Sequence, residues 1–191
     1  MLIDLNANIF GMPRALFPAI GTVLMGGNAA TVGLLNAAPG VGAFLAAFTT
    51  GWVSKVRRQG RVVVLSVAMW SLAIIGFGLT RNLPLGLFLL AVAGASDVIS
   101  NVFRSTILQL ALPDEMRGRV TAFKVVISGA GPRLGDAQVG AVATATSTPF
   151  SIVAGGVAGL IGTALIAWRG RALWDQESTE AAPPIADVDL D

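Results

Sequence analysis

Six stretches of this chain stay apolar over the length a helix needs to cross a bilayer, with short polar connections between them. A hydrocarbon core roughly 30 Å thick takes about 20 helical residues to span. The stretches lie at about 2–24, 29–54, 62–80, 84–110, 119–143 and 148–168. They predict an all-α membrane protein whose six transmembrane helices occupy residues 1–171. The connections MGGNA, KVRRQGR, RNLP, PDEMRG and TSTP are short enough to return each helix antiparallel beside its predecessor. Composition agrees: only 13% of the residues are charged, against about 25% in soluble domains, and mean hydropathy is +0.73.

Charge is unevenly placed. Residues 1–171 hold all 13 bases and five acids, a net +8, while residues 172–191 hold six acids and no base, a net −6. That acidic, proline-containing end is expected to be a disordered cytoplasmic tail. If six spans alternate, nine bases fall on one side: Lys55, Arg57, Arg58, Arg61, Arg117, Arg119, Lys124, Arg169 and Arg171. Arg81 falls on the other. Cationic loops stay in the cytoplasm, so both termini are expected there, in the cell's inner (plasma) membrane. This topology accounts for the basic charge without a nucleic-acid partner. The expected surroundings are membrane lipid.

The chain has no cysteine and no histidine, which excludes thiol nucleophiles, Cys/His metal sites and imidazole acid–base chemistry. No nucleophile–base pair or metal-ligand cluster stands in their place, so neither an enzyme nor a cofactor is expected. GAGPRLGD lacks the Gly-Lys-Ser/Thr ending of a phosphate loop and lies mid-span. Its Gly131 and Gly135, like Gly155 and Gly159, have the spacing of close helix packing.

The informative residues are the charges inside the spans, which cost several kcal/mol unless they face protein or water. Arg14 lies halfway along the first span, between Pro13 and Pro18. Asp97, Asn101 and Arg104 share one face of the fourth at i, i+4 and i+7. Arg133 and Asp136 share a face of the fifth at i and i+3, beside Pro132. The second span has Asn36 and Pro39, and the third and sixth have no charge within their apolar runs. The third and sixth helices are therefore suited to lipid, and the others to an interior cavity. Arg14, Arg133, Asn36 and Asn101 are candidate contacts for a small-molecule substrate. Asp97, Asp136 and Arg104 are candidates for proton coupling or for ion pairs. Arg104 is also long enough to snorkel to the inner interface.

These features resemble the second half of a major facilitator superfamily transporter, its helices seven to twelve. The resemblance implies that helices seven, eight, ten and eleven line the cavity, matching the first, second, fourth and fifth spans here. GWVSKVRRQGR (51–61) is similar to the family's cytoplasmic glycine–basic loop, with Gly51, Arg57, Arg58, Gly60 and Arg61 as a gating loop. PDEMRGRV (113–120) resembles a loop of drug and siderophore exporters. FGMPRALFPA (10–19) and GPRLGD (131–136) resemble the enterobactin exporter family more narrowly. The resemblance implies proton-antiport export of a siderophore or drug, with a missing N-terminal six-helix half as partner. The alternative is a non-transporting half-domain or interaction module that needs a separate partner half.

Overall fold

A computed structural model describes residues 14–49, 59–111 and 114–169, and every regular element among them is a helix. In chain order these are α1 (Arg14–Leu24), α2 (Ala29–Thr49), α3 (Gln59–Leu79), α4 (Leu83–Ala111), α5 (Asp114–Ala145) and α6 (Thr148–Arg169).

Helix α1 is irregular for a local reason. It opens with a 3-10 turn (Arg14–Leu16), passes through one α turn (Phe17–Ala19) and ends as a π turn (Ile20–Leu24). Pro18 has no N–H to offer the Arg14 carbonyl four residues back, so the first turn tightens. The Thr22 hydroxyl then donates to the Pro18 carbonyl at 2.7 Å, and the ladder slips one residue, with Met25 N–H donating to Ile20 O at 2.9 Å. Gly26 at φ 61° stops the helix. Asn28 caps α2, its Oδ1 accepting from the N–H of Ala30 (3.0 Å) and Thr31 (3.3 Å).

Among the described residues, four helices are long and apolar enough to cross a bilayer: Ala29–Phe48, Gly60–Leu79, Leu83–Thr106 and Thr148–Leu165. Helix α5 has the length but not the hydropathy, because Arg133, Asp136 and Gln138 interrupt its apolar residues. The expected first span begins outside the described residues, and the described part of α1 is short and apolar.

The principal contacts link the helices in the order α1, α2, α4, α3, α6, α5 and back to α1. One core runs through the ring: Leu16 and Phe17 of α1, Leu35 of α2, Ile74 and Phe77 of α3, Leu90 of α4, Val139 of α5 and Ile152 of α6. Phe17 and Phe77 meet edge to face with centroids 5.9 Å apart. Helix α3 does more than face lipid. Leu65, Met69, Leu72 and Leu79 form an outward apolar stripe, but Val63, Val67, Trp70, Ala73, Ile74 and Phe77 are buried. It is the most enclosed of the four apolar helices because it lies between α4 and α6.

Glycines let several helix pairs come close, including α1 and α2, where a Cβ on Gly21 would lie 2.9 Å from Val32 Cγ2. A Cβ on Gly42 would collide with the Ala91 carbonyl, and one on Gly94 with the Pro39 carbonyl, so α2 and α4 cross backbone against backbone. Between α3 and α6 the tight position is Gly156, where a Cβ would lie 2.7 Å from Ile75 Cγ1, whereas at Gly155 the nearest atom is 4.0 Å away.

Candidate functional site

The ring order gathers the polar helices. The four bearing the candidate residues, α5, α1, α2 and α4, are consecutive, and α3 and α6 lie side by side opposite them. Sequence placed these residues on separate helices; packing makes those helices one arc.

On α4 the inward face changes character partway along. Gly86, Leu90, Ala93 and Gly94 are buried. Asp97 continues their stripe at i+4 from Ala93, yet its side chain is exposed. An exposed residue on a buried stripe marks a place where the bundle opens. Beyond it the stripe continues through Ser100, Asn101 and Arg104. Asn101 Nδ2 donates to Asp97 Oδ1 at 3.2 Å, and Arg104 Nε donates to the Ser100 carbonyl at 3.3 Å. Arg104 is buried, 9% exposed, so it lies within the bundle and does not snorkel. Arg104 and, from α1, Arg14 are both near enough to act electrostatically on Asp97.

Arg14 also has a neighbour on its other side. The N–H of Ala15, the next residue, donates to Asp136 Oδ1 of α5 at 3.3 Å. The first turn of α1 thus contacts a carboxylate of α5, with Arg14 within electrostatic range of a carboxylate of α4. Arg133 is exposed on α5, away from the buried stripe Gly131, Gly135 and Val139. Asn36 is exposed on α2 with its amide folded back, Nδ2 donating to Val32 O at 2.9 Å. Of the gating-loop residues, Gly51, Arg57 and Arg58 lie outside the described residues. Gly60 is buried and Arg61 half-buried in the first turn of α3.

Three features were not anticipated. The Gly42–Ala91 and Gly94–Pro39 crossing needed knowledge of which helices meet. Ser100 is buried with no hydrogen-bond partner for its Oγ, and it belongs to the Asp97 stripe by spacing alone. The Ser151 hydroxyl donates to the Val139 carbonyl at 2.7 Å, tying α6 to α5. A lone serine in a sequence does not announce an interhelical bond.

An all-helical bundle with bilayer-length apolar helices, whose mid-helix charges lie on one arc, is a membrane protein, and its family is of the major facilitator type. The chain belongs to the transmembrane secretion effector family of that superfamily, a family of transporters and not of enzymes, which matches it over residues 6–189. It is 33% identical to the enterobactin exporter EntS of Citrobacter koseri over 147 residues, 73% of this chain and 35% of the relative. It is 32% identical to the enterobactin exporter EntS of Escherichia coli O81 over 151 residues, 75% of this chain and 36% of the relative. The chain therefore spans little more than a third of the length of these relatives. No solved structure matches it at a significant level.

Proposed function

We propose that the chain is one six-helix half of a proton-coupled exporter that moves a siderophore-like or drug-like small molecule across the inner membrane, with both termini in the cytoplasm. The relatives named as enterobactin exporters support the cargo class. The nine-to-one split of loop bases supports the orientation. The observation that supports the proposal is that the turn bearing Arg14 is hydrogen-bonded to Asp136 through the Ala15 N–H, with Arg14 within electrostatic range of Asp97.

Catecholate siderophores are anionic, and arginine suits such oxygens. Arg14 and Arg133 supply the anion contacts, with Asn36 and Asn101 as polar contacts beside them. Of the two mid-helix carboxylates on the arc, Asp97 and Asp136, one is needed to exchange the proton, and Arg104 is a counter-charge behind Asp97. Gly51, Arg57, Arg58, Gly60 and Arg61 form the gating loop on the cytoplasmic side.

Alternating access needs two halves rocking about a midplane site, so the proposal includes a second six-helix half. Open glycines support this. A Cβ on Gly33 or Gly40 of α2, or on Gly129 or Gly140 of α5, would meet nothing within 4 Å. Glycine in a membrane helix commonly serves close helix approach, and among the described residues these four have nothing to approach. The same observation favours a second reading, a half-domain that binds a separate partner without transporting.

The test is enterobactin release from exporter-deficient cells that express the chain alone or beside the first half of a relative. Export is expected only with both halves, with Arg14→Ala and Arg133→Ala each lowering it about tenfold, the equivalent of one charge-assisted contact. Normal export by both variants sinks the anion-contact proposal. Stable assembly of the halves without export leaves the second reading standing.

A further inference from the structure

We infer that Asp136 is a positioning residue: it fixes the backbone at Arg14 by accepting the Ala15 N–H, and the coupling proton is left to Asp97. This rests on Arg14 being the substrate contact, and it divides roles between the two carboxylates.

The geometry of α1 is the starting point. A regular helix holds each residue through its own ladder, but around Arg14 that ladder is compromised. Pro18 offers no N–H to the Arg14 carbonyl, and the segment passes from 3-10 to α to π within 11 residues. An arginine on such a segment needs a tie from outside, and Asp136 provides one. Its Oδ1 lies 3.3 Å from the Ala15 nitrogen, linking residues 121 positions apart. The bond ends on backbone, so it constrains the course of the chain at Arg14 and leaves the guanidinium available.

The surroundings of the two carboxylates differ. Among the described residues, the charged groups on the elements packed around Asp136 are Arg14 of α1, adjacent in sequence to Ala15, and Arg169 at the far end of α6, and the nearest in sequence on its own helix is Arg133, three residues back. Asp97 accepts from a side-chain amide, Asn101, and lies within electrostatic range of two arginines on the open stretch of α4. A group bound to a backbone N–H must accept a hydrogen bond, which asparagine does as well as aspartate. A group that exchanges protons cannot be replaced by asparagine.

The experiment uses the full chain in nanodiscs. It has no cysteine, so Ala15→Cys gives a single site for a spin label that reports order at this turn. Asp136→Ala is expected to mobilise the label severalfold, and Asp136→Asn to leave it as ordered as in the parent. In binding measurements with enterobactin, Arg14→Ala and Asp136→Ala weaken affinity about tenfold, the equivalent of one hydrogen bond. Asp136→Asn stays within about twofold with an unchanged pH profile, while Asp97→Asn flattens that profile.

Equal label mobility in all three backgrounds overturns the inference. So does an Asp136→Asn variant that behaves like Asp136→Ala or loses its pH dependence. If Arg14→Ala binds normally while the label responds as expected, the positioning stands and the substrate role of Arg14 falls. Should Asp136→Ala fail to fold, the Asn variant decides by itself.

Discussion

At the crossing of α2 and α4 the two backbones touch, with Gly42 against Ala91 and Gly94 against Pro39. Helix α5 is held differently. Its interhelical hydrogen bonds run from Ala15 to Asp136 and from Ser151 to Val139, and most of its surface is exposed. Backbone packing has no side chain to rearrange, so the α2–α4 pair is expected to stay together as a unit. Two hydrogen bonds and one core side chain, Val139, are a lighter attachment than touching backbones. A transporter needs both kinds of attachment: a rigid frame, and an element that can shift against it.

The comparison can be broken at its strong point first. Gly42→Ala or Gly94→Ala sets a methyl against a backbone carbonyl, where relief requires separating the helices. Each is expected to cost about 3 kcal/mol, read as lost thermal stability in detergent. A stable Gly42→Ala variant would show that α2 and α4 are not locked. At the weak point, Ser151→Ala removes one hydroxyl bond to α5 at a cost of about 1 kcal/mol. Hydrogen exchange is expected to rise in α5 and stay unchanged in α2 and α4. Combined with Asp136→Ala, the effects on α5 exchange should add, since the two bonds join it to different helices.

The smallest expected effect is the most pointed. Gly40→Ala and Gly129→Ala add a methyl to open space, and in the isolated chain they should change stability by less than about 1 kcal/mol, in the stabilising direction. Beside a partner half the same methyls should weaken assembly, measured by co-purification of the two halves. Assembly that tolerates both substitutions argues that the glycine faces of α2 and α5 are not the joint.

Much of the fold was legible because the bilayer imposes its length on the sequence. The apolar blocks at 62–80, 84–110 and 148–168 needed no tertiary information, nor did the shared face of Asp97 and Arg104, which follows from helical periodicity. Less could be read where chemistry depends on a partner from another helix. Arg133 and Asp136 at i+3 suggested a pair along one helix, yet the bond that Asp136 makes crosses to Ala15 of α1. Arg104 was long enough to reach an interface, yet it is buried. The Gly155–Gly159 spacing predicts close packing at Gly155, whereas the tight contact to α3 is one residue on, at Gly156.

The sequence by itself determined that this is an all-helical membrane protein, where its apolar helices lie, and which helices bear charge. Those properties follow from hydropathy and a fixed rise per residue, both local. Only the tertiary structure decided that α5, α1, α2 and α4 form one arc, that α3 belongs to the core, and that a carboxylate of α5 accepts a hydrogen bond from the turn bearing Arg14. Each of these depends on which helix faces which, and that is settled by close backbone approach and side-chain volume between segments far apart in the chain.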